Sequence, residues 1–204
     1  MKAFCNENEI EVGVDEVGRG CLAGPVYTAA VIWPQEIDPS DTNIIVRDSK
    51  KCSKRKRLML KDYIEEYAID FSVSSLDNKV IDEVNILNAT MKCMHQSLDS
   101  LNVDFEHILV DGHQFKPYYR YNQSVPYSCI IQGDDTYISI ACASILAKVY
   151  RDSYIEKICD DNPELDNYNW KQNMCYGTAD HIRGIREHGI TEYHRKTFGI
   201  CKEY

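Results

Sequence analysis

GVDEVGRGCLAGPVYTAAVIWP, residues 13–34, decides how this chain is read. Ile10, Val12 and Val14 alternate with Glu11, Gly13 and Asp15, which predicts a strand over residues 10–15. Asp15 and Glu16 stand side by side at its end, and Gly18-Arg19-Gly20 follows at once. The apolar run VYTAAVIW, 26–33, predicts a second strand, ended by Pro34. The stretch therefore ends a strand on two acids and brings bare backbone to the same spot.

Working outward, IDFSVSSL (69–76), HILVD (107–111) and SCIIQ (128–132) read as three more strands, the nearly all-apolar HILVD as one covered on both faces. Ser53 is placed to cap a helix through the sixties, and further helices are expected over 84–101, 135–159 and 178–188. Strands close in sequence, then strands separated by helices, predict an α/β protein: a mixed five-stranded sheet flanked by helices. No repeat, low-complexity tract or Pro/Gly linker divides the chain. One domain over 1–204 is expected, with a C-terminal helical segment from about residue 160 packed on it.

The composition sets limits. The chain has 204 residues, 44% hydrophobic and 27% charged, enough for a real core. No apolar run approaches the roughly 18–20 residues that span a bilayer. MKAFCNENEIEVG lacks a signal-like apolar stretch, and the nine cysteines are scattered without a C-x-x-C pair, so reduced thiols in a cytoplasmic protein are expected. A net charge of −9 argues against an indiscriminate polyanion binder. Yet RDSKKCSKRKR, 47–57, holds seven basic residues against one acid: either a solvated loop and helix start or a local phosphate-binding patch.

Asp15, Glu16, Asp111 and Asp134 all fall at or near predicted strand ends, where ligands sit in open sheets of this class. A lone aspartate there is ordinarily a turn former or helix cap, and Asp135 looks like an N-cap. Four acids together repel one another unless cations bind between them, and hard carboxylate oxygens suit Mg²⁺ or Mn²⁺. Two such ions, roughly 4 Å apart, serve phosphodiester hydrolysis. Neighbouring strand residues point to opposite faces. The expectation is therefore that the glycine turn swings Glu16 round to join Asp15. Exposed backbone there could also read a ribose 2′-OH, which both donates and accepts; a G-x-G alone would be an ordinary turn.

Taken together, these residues resemble ribonuclease HII, the bacterial-style type 2 ribonuclease H. GVDEVGRG and LAGPV (13–26), DSKK (48–51), NILNAT (85–90), ILVDG (108–112), QGD (132–134), SILAKVYRD (144–152) and the block from YGTADH to the final HR and F (176–198) occur in the family's order over nearly the whole chain. The resemblance implies a ribonuclease H-like fold. It implies an endonuclease that hydrolyses the RNA strand of RNA–DNA hybrids and incises 5′ of single ribonucleotides embedded in duplex DNA, leaving 3′-OH and 5′-phosphate ends. It makes Asp15, Glu16, Asp111 and Asp134 the catalytic, metal-holding set for Mg²⁺ or Mn²⁺, two ions with substrate bound. Gly18, Arg19, Gly20 and Tyr176 would recognise the 2′-OH, with Lys50, Lys51, Asn85, Ser144 and Lys148 as further substrate contacts.

On the predicted long helix, Ser144, Lys148 and Arg151 share a polar stripe that could contact phosphate, brace the acids or simply face solvent. The tyrosine-rich segment 114–127 could stack or pack. The chain departs from the family pattern in four places. Cys21 stands where proline commonly follows GRG, His113 where asparagine usually follows Asp-Gly, and Met174-Cys175 where Lys-Gly usually precedes the tyrosine. These put the turn and the pose of Tyr176 in question. No sliding-clamp peptide is recognisable at KTFGICKEY, and a monomer is expected. GRG disfavours the related ribonuclease HIII. Competing readings are another nuclease or strand transferase of the same broad fold, a silent hybrid-binding protein, and a sheet-based metal or nucleotide module, which would lack its phosphate loop.

Overall fold

The computed structural model describes residues 1–37 and 53–204. The DSKK block, with Lys50 and Lys51, lies outside these. Seven strands and seven α-helices are described: β1 (Glu11–Val17), β2 (Val26–Ile32), α1 (Lys54–Tyr67), β3 (Asp70–Leu76), α2 (Asn78–Val84), α3 (Ile86–Asp99), β4 (His107–Asp111), β5 (Tyr118–Arg120), β6 (Gln123–Val125), β7 (Tyr127–Ile130), α4 (Gly133–Thr136), α5 (Ile138–Asp161), α6 (Trp170–Asn173) and α7 (Ala179–His188). The main sheet runs β3-β2-β1-β4-β7. β1, β2 and β3 pair antiparallel, while β1–β4 and β4–β7 are parallel. This is the expected mixed five-stranded sheet flanked by helices.

Strand alternation sorts the core. Val12, Val14, Ile108 and Val110 pack under α3 with Met91, Met94 and Leu98. On the other face Ala29 and Val31 meet α5 and α1. The first half of α5 is buried nearly all round, from Ile138 to Ala147. Its small residues allow close approach to the sheet, closest at Gly13, where a Cβ would lie 2.6 Å from the Ser139 carbonyl oxygen.

The helix expected over 84–101 forms as α3, starting just after Asn85 (φ 66), whose side chain caps it by accepting from Asn88 N–H at 3.1 Å; the short α2 before it was not expected. The helix expected over 135–159 is interrupted at Tyr137, which is extended so that Thr136 and Ile138 can pair with the backbone of Lys2. Asp135 lies in the first turn of α4 rather than at an N-cap, whereas Ser53 does cap α1. The tyrosine-rich connection folds into the β5–β6 hairpin, turned by Tyr121 and Asn122, both at positive φ. The C-terminal segment packs Trp170, Cys175, Ile185 and Cys201 against Cys21, Ala23 and the second half of α5. Among the described residues no helix is long and apolar enough to cross a membrane.

Candidate active site

The central parallel pair positions the first acids. Val14 lies opposite Val110, so one further step sets Asp15 beside Asp111 as β4 ends. Both share the parity of Gly13 and Leu109 and so face α5. Ser144 on α5 hydrogen-bonds the Asp15 carboxylate. Asp111 Oδ1 accepts the Gly133 N–H at 2.7 Å, and the next residue is Asp134, 8% exposed in the first turn of α4.

Glu16 departs from expectation. β1 continues through Glu16 and Val17, and the turn begins only at Gly18 (φ 91). Glu16 pairs with Thr28, whose hydroxyl meets Cys93 and Ser97 of α3. Cross-strand partners share a face, so Glu16 leaves the strand on the side opposite Asp15. The turn does not swing it round. Instead the turn brings up Arg19, whose Nη1 donates to Glu16 Oε1 at 3.1 Å.

The acids still feel one another. Burial holds the Asp15 carboxyl well above the usual range, and the charges of Glu16 and Asp111 push it further. Glu16 is raised by burial, against the opposing pull of Arg19 and with Asp111 adding to the rise. All the donors are hard oxygens, and a cation near them would reverse this repulsion, so the chemistry of the set fits a divalent ion such as Mg²⁺ or Mn²⁺. Each acid meanwhile has its own local partner: Ser144 for Asp15, Arg19 for Glu16 and Gly133 for Asp111. Among the described residues no three metal-ligating groups form a closed cluster.

The loop from Gly18 to Pro25 is tied on two sides. Cys21 bridges to Tyr176 and Ala23 to His194. Leu22 N–H donates to Cys175 at 2.9 Å, and Gly24 N–H to Tyr193 at 2.9 Å. Tyr176, 40% exposed, lies against the loop: a Cβ on Gly20 would sit 3.8 Å from its ring. The departures from the family pattern acquire a physical reading here. The Cys21 thiol donates to the Met174 carbonyl at 3.5 Å. Cys175 (φ 67) adopts the left-handed backbone that glycine favours, so the bend survives the replacement of glycine.

The remaining predicted residues separate. Lys148 pairs with Asp152 at 2.9 Å. Asn85 is exposed and caps α3. His113 lines a surface groove with Leu87, Met91 and Lys116. The polar stripe on α5 is no solvated face: Ser144 and Arg151 are buried. Sequence reasoning passed over three buried groups, Arg195, His181 and His194, as functional residues, whereas Arg151 was named as part of the polar stripe. The three lie in the 176–198 block, whose quoted H and HR letters were the available signal. Trp170 Nε1 donates to His181 Nε2 at 2.9 Å, so His181 carries its proton on Nδ1 and donates it to the Tyr176 carbonyl at 3.0 Å.

A family model described as ribonuclease HII matches residues 12–201. The chain is 48% identical to a ribonuclease HII of Christiangramia forsetii over 203 residues, 100% of this chain and 97% of that protein. It is 44% identical to a ribonuclease HII of Parabacteroides distasonis, over 98% of this chain and 95% of that one. Its fold matches the crystal structure of the ribonuclease H2 from Pyrococcus horikoshii with a TM-score of 0.75 at 22% identity, covering 95% of each chain.

Proposed function

This chain belongs to the ribonuclease HII family, hydrolases that cleave the RNA of RNA–DNA hybrids, and from that premise we propose that it also incises 5′ of single ribonucleotides embedded in duplex DNA. The observation that carries this reading is the contact between the Gly18–Gly20 turn and the half-exposed Tyr176 ring, one turn away from Asp15 and Glu16. A single ribonucleotide differs from its neighbours only by a 2′-OH, so a reader needs backbone at close quarters and a surface to fix the sugar. Gly20 allows that approach, and Tyr176 supplies the surface.

In this reading Asp15, Glu16, Asp111 and Asp134 would hold two divalent ions, Mg²⁺ or Mn²⁺, which would supply Lewis-acid charge for phosphodiester hydrolysis. The protein's own part is to aim its carboxylates. Ser144 orients Asp15, the Gly133 N–H orients Asp111, and Arg19 restrains Glu16 beside the loop that receives the sugar. Cleavage on the 5′ side leaves 3′-OH and 5′-phosphate ends. Lys148 and Asn85, together with Lys50 and Lys51, are proposed contacts to the nucleic-acid backbone.

The test is cleavage of labelled duplex DNA carrying one ribonucleotide, with Mg²⁺ or Mn²⁺, beside an all-DNA duplex. The expected product is one nick 5′ of the ribonucleotide, none in the control, and a loss of about 10²–10³-fold in Asp111→Asn, the scale for removing one preorganised electrostatic group. Cleavage confined to long hybrids would overturn the single-ribonucleotide reading. An undiminished Asp111→Asn variant would overturn the assignment of the acids.

A further inference from the structure

Two arginines are buried under the turn with no acid to meet them. Arg151 and Arg195 are both 0% exposed, and among the described residues neither takes part in a salt bridge. Their donors go to main-chain carbonyls instead. Arg195 donates from Nη2 to Gly18 at 2.7 Å, from Nη1 to Arg19 at 2.9 Å and from Nε to Gly24 at 3.0 Å. Arg151 donates from Nε to Pro25 at 3.1 Å, from Nη1 to Met174 at 3.0 Å and from Nη2 to Ala23 at 3.4 Å. Five of these six acceptors belong to residues 18–25, and the sixth, Met174, caps α6 two residues before Tyr176.

Burying a guanidinium without a carboxylate is costly. Burial draws Arg195 down to about 10, with the charge of Arg151 contributing. An arrangement this expensive calls for a reason beyond filling space. Gly18 itself is shaped around it: a Cβ there would lie 2.8 Å from Arg151 Cδ.

The geometry of a trans peptide supplies the reason. Its C=O and the following N–H point in opposite directions. When Arg195 pulls the Gly18 and Arg19 carbonyls inward, the N–H groups of Arg19 and Gly20 turn outward. Both residues are exposed, and among the described residues neither N–H has an acceptor. Two free donors thus stand together beside the Tyr176 ring. We infer that Arg195, seconded by Arg151, is a positioning residue that sets the Arg19 and Gly20 amides as paired donors for the 2′-oxygen of the ribonucleotide. The inference rests on the function proposed above and adds what makes the turn selective. Neither arginine touches substrate; each acts through the loop.

The experiment compares affinities in an Asp111→Asn background, where substrate is not consumed. The probes are two duplexes, one with a single ribonucleotide and one with deoxyribose at the same place. Arg195→Lys keeps the charge but cannot span three carbonyls. It is expected to shrink the ratio of the two affinities about tenfold, the scale of a lost hydrogen bond, and to leave all-DNA affinity within about twofold. Arg151→Lys, which leaves the Gly18 and Arg19 carbonyls held, is expected to shrink the ratio less. A merely structural role would weaken both duplexes alike, and that result, or an unchanged ratio in a folded Arg195→Lys protein, would overturn the inference. Should Arg195→Lys fail to fold, the unsubstituted arginines still allow a measurement. The Arg19 and Gly20 amide resonances should shift with the ribonucleotide duplex and not with its deoxy twin, and equal shifts would overturn the inference. If the Asp111→Asn protein alone shows no preference for the ribonucleotide, the proposed function fails first. If it does and Arg195→Lys keeps that preference, only the role of the arginine fails.

Discussion

Asp15 sits where a carboxylate is least comfortable: 5% exposed, with Glu16 and Asp111 close enough to raise its affinity for a proton further. The folded state holds that proton more tightly than the unfolded chain does. The stabilising contribution is therefore present below the unfolded value, near 4, and is lost as pH rises through the folded one. At neutral pH the charge opposes folding. Asp15→Asn, measured in chelator, should raise stability by roughly 0.5–2 kcal/mol, a few degrees in melting midpoint at about 2–4 °C per kcal/mol for a chain this size. The same variant should be inactive. A midpoint that falls or stays put would mean that Ser144 and the Glu16 N–H, which donates to Asp15 at 2.6 Å, already offset the repulsion. That Asp15, Asp111 and Asp134 fall together at strand ends was legible from the sequence, because each closes or follows an apolar run. The path of Glu16 was not legible. A strand end is set by its partner, and β2 keeps pairing as far as Tyr27 opposite Val17, one residue past both acids.

Among the elements, α5 decides the site. It crosses β1 at Gly13, whose missing side chain lets helix backbone rest on strand backbone, and that depth brings Ser144 to Asp15. Gly13→Ala puts a methyl into the Ser139–Ile140 peptide, which cannot rotate away as a side chain can. The expected cost is about 3 kcal/mol, the upper end for overpacking, read as a lower urea midpoint with activity falling in step as Ser144 withdraws. A loss under about 0.5 kcal/mol, the scale of a neutral surface change, would show that α5 can shift freely and that its depth is not what aims Asp15. Alternation at residues 10–15 and short apolar runs elsewhere made the five main strands readable, and HILVD matched β4 end to end. The short α2 ending before Asn85 and the helix break at Tyr137 were not readable, because each answers to something distant in sequence. Tyr137 extends to pair with Lys2, and Asn85 turns at positive φ so that α2 and α3 can both bury apolar residues around Val26. Buried Arg151 was misjudged for the same reason. Spacing put it on a polar stripe, and only the fold shows that Arg151 itself turns to main-chain carbonyls.

Across the whole molecule, the turn after β1 is completed by residues more than 150 positions away, and a pair of buried histidines locks that completion. His181 Nε2 lies 3.1 Å from His194 Nε2, and His194 Nδ1 accepts from the Thr191 N–H at 2.8 Å. Every ring nitrogen has a partner only if both rings are neutral, with Nδ1–H on His181 and Nε2–H on His194. Burial lowers both, and the neighbouring ring helps to draw His194 down to about 3. The unfolded chain takes up these protons from about pH 6.5 downward, while the folded chain refuses them. The contribution of the pair is therefore whole above pH 6.5 and is lost as pH falls toward the folded values. For His194 the loss approaches about 1.4 kcal/mol per pH unit, or roughly 2 kcal/mol by pH 5. Asp15 and Glu16 work in the opposite sense over part of that range, so the protein's own pH profile mixes the two. The comparison with His194→Gln isolates the histidine because the acids are common to both proteins. Chemical denaturation in chelator at pH 7, 6 and 5 should find the variant less stable at pH 7 and flatter toward acid, the difference between the two proteins closing by about 2 kcal/mol at pH 5. Parallel profiles would mean that His194 gains its proton in the folded state too. The neutral lock on Tyr176, which passes from His194 through His181 Nδ1–H to the Tyr176 carbonyl, would then not be what holds the C-terminal segment against the turn.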